Sequence, residues 1–421
     1  MRGGSGMTRV GFFQGPWDTG TIARDGGVHG FRNIELTIRR MCRRGLIHSA
    51  TPLENLMFAK PPRRRQLADL DVIYANAGPV TTLLMLYREL MGLDFRIVRE
   101  VRTLGWIGYA FQEFVASSLA RPDDLRVHTS AYSAGIWNRA LPDRDLFYYP
   151  LFREAPTPEP HREIPAKRTA FFGSRVAEDK GFHYLPAILE KLNENSWNIA
   201  NLTVCGDLDG NLINAETFSR MKRRGVSVDN HGPQSRGQAI RLMSASHLVL
   251  FPSVSSFESA GRVVAEAWAL GKPVIASDFC SGHDLVRETH RIPLQSGSFR
   301  QGTTEQPFAV ADLDLDRWIA PDPDVPAFMD DHCRRYEADP DQLQGMLEGR
   351  IGGKVTFGES NMAMRWEWPE LDRDRAMEWC GRVNDLVERG FRDRADLTNP
   401  GGLFKRALIE SGFAPTVGFT T

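Results

Sequence analysis

FPSVSSFESAGRVVAEAWALGKPVIASD, residues 251–278, reads as a strand end, a loop of small residues, a short amphipathic helix and a second apolar strand. Glu258 stands in the loop, and Glu266 lies eight positions on, inside the helix. A helix starting at Glu258 would set the two backbones about 12 Å apart, at 1.5 Å of rise per residue. Ser259, Ala260 and Gly261 let a ligand approach the N–H groups at the helix start, where anions are favoured. Val263, Val264, Ala267, Trp268 and Leu270 give the helix an apolar face that pins it in a core. Two glutamates at this interval, taken alone, equally describe a solvated helix.

In its whole frame, with F-P-S before it and G-K-P-V-I-A-S after it, Glu-x7-Glu resembles the donor-binding element of the family-four retaining glycosyltransferases (glycosyl transferases group 1). The 12 Å interval is about the span from the sugar of a nucleotide-diphosphate sugar to its ribose. The resemblance implies an α/β chain of the GT-B fold, two Rossmann-like domains facing across a cleft. It implies transfer of a sugar from a nucleotide-diphosphate donor to an acceptor hydroxyl, with retention of configuration and without a metal or other cofactor. Glu258 would then hold hydroxyls of the donor sugar and Glu266 those of the ribose, with the N–H groups near Ala260 and Gly261 at sugar or phosphate.

A second segment agrees in order and spacing. Strand-like Thr169–Phe172 runs into Gly173-Ser174-Arg175-Val176-Ala177-Glu178-Asp179-Lys180-Gly181. This is similar to the family's G-R-x4-K-G turn, with Ser174 inserted and the Arg–Lys interval of five kept. A guanidinium and an ammonium stabilise the charge of a departing diphosphate, so the resemblance makes Arg175 and Lys180 catalytic together with Glu258. A surface turn with two incidental cations is the alternative reading. Only eight of the 52 basic residues are lysines, so a lysine at this place says more than an arginine would. The similarity covers 169–286 well and the N-terminal half loosely. Asp284 stands where the family has glutamate. The family's histidine is missing from Val98-Arg-Glu-Val-Arg-Thr103, where Glu100 and Arg102 stand near the strand end.

Composition sets the outer bounds. A chain of 421 residues with 42% hydrophobic and 25% charged residues has room for two domains of ordinary globular character. A net charge of −1 gives no bulk attraction to nucleic acid or to an anionic membrane. No apolar run reaches spanning length, and MRGGSGM lacks a signal core, reading instead as an extension ahead of a natural start at Met7. Five scattered cysteines without zinc spacing favour a reducing compartment, so a cytoplasmic location is expected.

Alternating apolar runs and helical patterns over 7–150 predict a parallel sheet with covering helices, forming an acceptor domain. Expected strands are Thr8–Gly15, Asp71–Asn76, Phe95–Val101 and Leu125–Thr129, with Asp145–Pro150 closing the half; expected helices are Phe31–Arg44, Val80–Met91, Ile107–Leu119 and Ala131–Leu141. Gly26-Gly27 before the first helix reads either as a plain loop or as an N–H concavity for the donor. Arg63-Arg64-Arg65 reads as a solvated face. Five prolines between Tyr149 and Arg168 mark 151–168 as a linker. The donor domain is expected over 169–371, followed by a helix and tail, 372–421, crossing back to the first domain.

Asp-x-Asp occurs at Asp69/Asp71, Asp143/Asp145, Asp207/Asp209 and Asp312/Asp314/Asp316, but in no frame that matches a metal-dependent transferase. The expected partners are a nucleotide sugar and a hydroxyl-bearing acceptor, whether glycan, natural product or lipid-linked. Two further readings stay open: an epimerase or phosphorylase on the same fold, and a non-catalytic nucleotide- or glycan-binding module.

Overall fold

A computed structural model describes residues 8–14, 26–54, 64–76, 92–101, 120–128, 145–147, 167–207, 212–255, 261–295, 309–328 and 340–351, with residues 81, 84, 85, 88, 130, 132, 134, 258, 300 and 301 individually. Two six-stranded parallel sheets organise it. The first contains β1 (Arg9–Gln14), β2 (Ser49–Glu54), β3 (Val72–Asn76), β4 (Arg96–Val101), β5 (Leu125–His128) and β6 (Asp145–Phe147), in the order β2-β1-β3-β4-β5-β6. Apolar side chains pack on both of its faces, and β4 and β5 also bury Arg99, Glu100, Arg126 and His128. Val10, Phe12, Val72, Tyr74 and Val98 pack with α1 (Gly26–Arg43), while Ile73, Ala75 and Ile97 pack on the opposite side with Leu84 and Met85.

The second sheet contains β7 (Arg168–Phe172), β8 (Ile199–Val204), β9 (Ser227–Asn230), β10 (Leu248–Phe251), β11 (Val274–Ser277) and β12 (Arg291–Ile292), ordered β12-β11-β10-β7-β8-β9. The chain winds outward from β7 to β9, then returns to β7's other side as β10. Alternate residues again divide between two cores: Ala170, Phe172, Leu248 and Leu250 on one face, Phe171, Val249 and Phe251 on the other. Connecting helices include α3 (Leu185–Glu194), α4 (Leu212–Arg223), α5 (Arg236–Ala245) and α6 (Arg262–Ala269). This is α/β architecture with two Rossmann-like sheets, as expected. The two strand orders differ, with the reversal between β1 and β3 in one sheet and between β7 and β10 in the other. Such reversals leave a crevice at the strands' carboxyl ends, where ligands bind.

Three local expectations need correction. The first helix begins at Gly26, not Phe31, so Gly26-Gly27 forms its first turn. Strand β2 was not expected, because Pro52 interrupts its pattern; as an edge strand it can hold a proline with no N–H to donate. Helix α6 begins at Arg262, four residues after Glu258, so the 12 Å separation computed for an unbroken helix does not apply. The expected helix at 107–119 and most of the linker lie outside the described residues.

The two sheets are joined by direct contacts. Helix α8 (Pro340–Leu347) buries Leu343, Met346 and Leu347 in the first sheet's core, although sequence reading grouped it with the second. There Arg96 Nη2 donates at 2.6 Å to both Met346 O and Leu347 O, filling carbonyls left open at the helix end. The helix expected at 372–389 lies outside the described residues. No helix among the described residues is long and apolar enough to cross a membrane.

Candidate functional site

The β7/β10 crevice holds the residues singled out from sequence. After β7 the chain makes a tight 3₁₀ turn, Glu178–Lys180, closed by Gly181 at φ 69°. A Cβ on Gly181 would lie 2.0 Å from Pro252 O, so only glycine lets the turn press against the backbone leaving β10. Val254 N donates to Asp179 O at 2.9 Å across the same seam. The turn is thereby fixed to the loop that carries Glu258.

Lys180 and Glu258 meet there. Lys180 Nζ donates to Glu258 Oε2 at 2.7 Å, and each side chain is 15% exposed. Ser253 Oγ donates to the same oxygen at 3.2 Å, and Gly261 N donates to Oε1 at 3.0 Å. Burial pushes the Glu258 carboxyl pKa up, but the Lys180 charge and the three hydrogen bonds outweigh it and hold the pKa below its ordinary value. Glu258 is therefore ionised at neutral pH and offers acceptor oxygens only. Beneath it, Cys280 Sγ donates to Glu258 O at 3.0 Å. Burial, then the nearby Glu258 and Asp284 charges, push that thiol pKa well up, so it stays protonated.

Arg175 sits one helical interval from Lys180's neighbour. Its Nη2 bonds Asp179 Oδ2 at 2.8 Å, and that oxygen is 3.9 Å from Lys180 Nζ. Asp179 is thus a carboxylate shared between both cations, and a third of the Arg175 side chain remains open to solvent. Glu266, on α6, faces two guanidinium groups: Arg236 Nε at 3.2 Å and Arg262 Nη2 at 3.6 Å.

Gly261 belongs to this cluster through its N–H, and the other candidates lie apart from it or outside the described residues. Gly261 precedes α6 with φ 49°, and Ala260 lies outside the described residues. Gly26 and Gly27 open α1, where first-turn N–H groups lack helical partners; no contact between them and Lys180 or Glu258 occurs among the described residues. Glu100 is buried and accepts from Tyr74 Oη at 2.5 Å, while Arg102 lies outside the described residues. Asp71 of one Asp-x-Asp pair binds Arg9 through both carboxylate oxygens, at 3.0 and 2.8 Å. No His/Cys/Asp/Glu group with metal-holding geometry occurs among the described residues.

Sequence reasoning passed over Asp179, Ser253, Arg236 and Cys280. Asp179 could have been found from its four-residue interval to Arg175, which suits an ion pair on one turn. Arg236 approaches Glu266 across 30 residues, and nothing local signals that.

Comparisons with known proteins agree with this architecture. Residues 156–297 match the family model described as Glycosyl transferases group 1. No curated protein matches the chain. Among solved structures, the lipopolysaccharide outer core galactosyltransferase WaaB in its apo form is 14% identical, with a TM-score of 0.51, over 81% of this chain and 94% of that one. Anabaena HepE in complex with UDP and glucose is 17% identical, with a TM-score of 0.46, over 67% and 84% of the two chains. The likeness to WaaB is one of fold, and that fold is GT-B.

Proposed function

We propose, from the match of residues 156–297 to the Glycosyl transferases group 1 model and from the GT-B fold, that the chain moves a sugar from a nucleotide-diphosphate donor to an acceptor hydroxyl with retention and without a metal ion. The observation that carries the reading is the Lys180–Glu258 pair at the β7/β10 reversal, 2.7 Å apart beside the Gly261 N–H. An ionised carboxylate here can accept O–H groups of the donor sugar. Lys180 lies between that carboxylate and the Asp179 oxygen that Arg175 holds, so a diphosphate entering beside them meets an ammonium and a guanidinium together.

In this reading the negative charge that grows on the diphosphate as the glycosidic bond breaks is screened by Lys180 and Arg175. Fixed charges do this without reorganising at the moment of reaction. The donor's own phosphate oxygen takes the proton from the acceptor hydroxyl, which attacks on the face the leaving group vacates. Glu266 accepts from the ribose hydroxyls while Arg236 and Arg262 hold its orientation. The acceptor, a glycan, natural product or lipid-linked alcohol, enters from the first sheet's side.

A thermal-shift panel of nucleoside diphosphates and their sugars tests this on the wild type and Arg175→Ala, with and without EDTA. A ligand that binds only the folded chain raises Tm by mass action. The expected result is a shift with one nucleotide class that survives chelation and shrinks in the variant. No shift with any nucleotide would overturn the donor-site reading, and a shift abolished by EDTA would overturn its metal-free part.

A further inference from the structure

The segment after β11, Asp278–Leu285, touches both halves of the molecule. On one side it supports the loop of Glu258. Cys280 Sγ bonds Glu258 O, and Ser281 Oγ lies 1.7 Å from where a Cβ on Gly261 would be, so the Ser281 side chain packs directly on the Gly261 backbone. Cys280 itself adopts φ 46°, a conformation uncommon for a residue with a side chain. On the other side the segment receives Tyr132, which belongs to the first sheet's half of the chain. Tyr132 N donates to Asp284 Oδ1 at 3.1 Å and lies 3.3 Å from Oδ2. Its ring is buried against Phe279 and His283, with centroids 5.4 and 5.1 Å away. Asp284 N in turn donates to Cys280 O at 3.0 Å, closing the path from Tyr132 to Glu258.

We propose that Asp284 is a positioning residue: its carboxylate ties Tyr132 of the first domain to the turn that holds Glu258, so that the donor site is set only when the two domains are docked. The inference deepens the donor-site reading and rests on it. The physical case is that Asp284 is buried, and a buried carboxylate must keep its hydrogen-bond donors. Undocking the domains would remove the Tyr132 N–H and uncover the ring, leaving the 279–284 turn without two of its restraints. That turn adjoins Glu258 through a single thiol bond and a van der Waals contact with Gly261, so a loosened turn frees the carboxylate that Lys180 holds.

Hydrogen exchange on the full chain tests the coupling directly, comparing wild type, Asp284→Asn and Tyr132→Ala. The expected result is faster exchange, tenfold or more, in a peptide spanning 256–264, with a peptide covering β8 unchanged. Unaltered exchange at 256–264 in a folded variant overturns the proposal, even if the segment around Tyr132 loosens. Tyr132→Ala keeps the backbone N–H that Asp284 accepts and removes the ring, so should Asp284→Asn fail to fold it tests the docking contact through the ring, and Asp284→Glu tests the carboxylate. In a transfer assay, Asp284→Asn should lower kcat about tenfold while donor KM moves less than threefold, and Asp284→Glu should recover part of kcat. A chain that transfers no sugar yet shows the exchange change refutes the proposed activity alone. One that transfers sugar with exchange and kcat both unmoved refutes the positioning role alone.

Discussion

Lys180 and Glu258 show how one ion pair can serve two states. Each neutralises the other within a nearly closed site, and with Ser253 and Gly261 the donors take three of the carboxylate's roughly four acceptor positions. In the proposed reaction the donor's diphosphate would give the ammonium a second and stronger anion. Lys180→Ala should therefore lower kcat by about a hundredfold or more, as removal of a preorganised stabiliser does. A folded variant with kcat within threefold of wild type would end that role. A different residue adds a pH dependence to stability, beside that of the depressed Glu258 and Asp278 carboxyls. His290 is buried in the second domain with its pKa lowered from 6.5 to about 4, mainly by burial and then by Arg287. Between those values the unfolded chain binds the proton and the folded one does not. Stability from this group is thus complete above about pH 6.5 and is lost as pH falls through 4, on the order of 3 kcal/mol over the whole range. Denaturation midpoints at pH 7 and pH 5 should differ more in wild type than in His290→Phe. The charges on which the proposed chemistry calls, Arg175, Lys180, Glu258 and Glu266, were singled out because each lies within a local frame that resembles a family motif. Partners such as Arg236 and the Tyr132 N–H come from distant chain, and only folding selects them, whereas Ser253 lies five residues from Glu258 and carries no local sign of its bond.

The elements show where pattern reading works and where it stops. Strands buried on both faces, such as Leu248–Phe251 and Val274–Ser277, stand out as short apolar runs and were placed correctly. Edge strand β2 did not stand out, since half its surroundings are solvent and Pro52 costs it no ladder bond. The start of α6 at Arg262 leaves Glu258 in the loop, as expected, but the distance from Glu258 to Glu266 could not be read from an unbroken helix. Ser259, Ala260 and Gly261 are compatible with helix by pattern, and the φ of 49° that ends the loop at Gly261 has no signature beyond the glycine itself. Gly261→Ala would meet two separate obstacles, that positive φ and the Ser281 hydroxyl 1.7 Å from the new Cβ. It should destabilise the chain by roughly 1–3 kcal/mol. Adding Ser281→Gly should recover only the steric part. Urea denaturation of both variants checks this, and full recovery in the double variant would show that the backbone angle carries no strain.

At the level of the whole molecule, the chain's path is as consequential as its site. It leaves the first sheet after β6, builds the second sheet, and comes back with α8, whose Leu343, Met346 and Leu347 complete the first core. The tether is reinforced by Arg96 on the last carbonyls of α8 and by Gln344 Nε2 donating to Leu46 O at 3.1 Å. One part of the molecule is therefore spliced into the sequence of the other. A peptide ending before β7 would hold a first sheet lacking three of its core side chains, and the peptide beginning at β7 would carry them. The two pieces should be mutually dependent, the second supplying a plug that fits a socket in the first. Produced as separate chains divided between 150 and 166, they should co-purify and regain a single cooperative melt. Leu343→Asp placed in the second piece should abolish the reunion, by setting a charge where the plug must be dry.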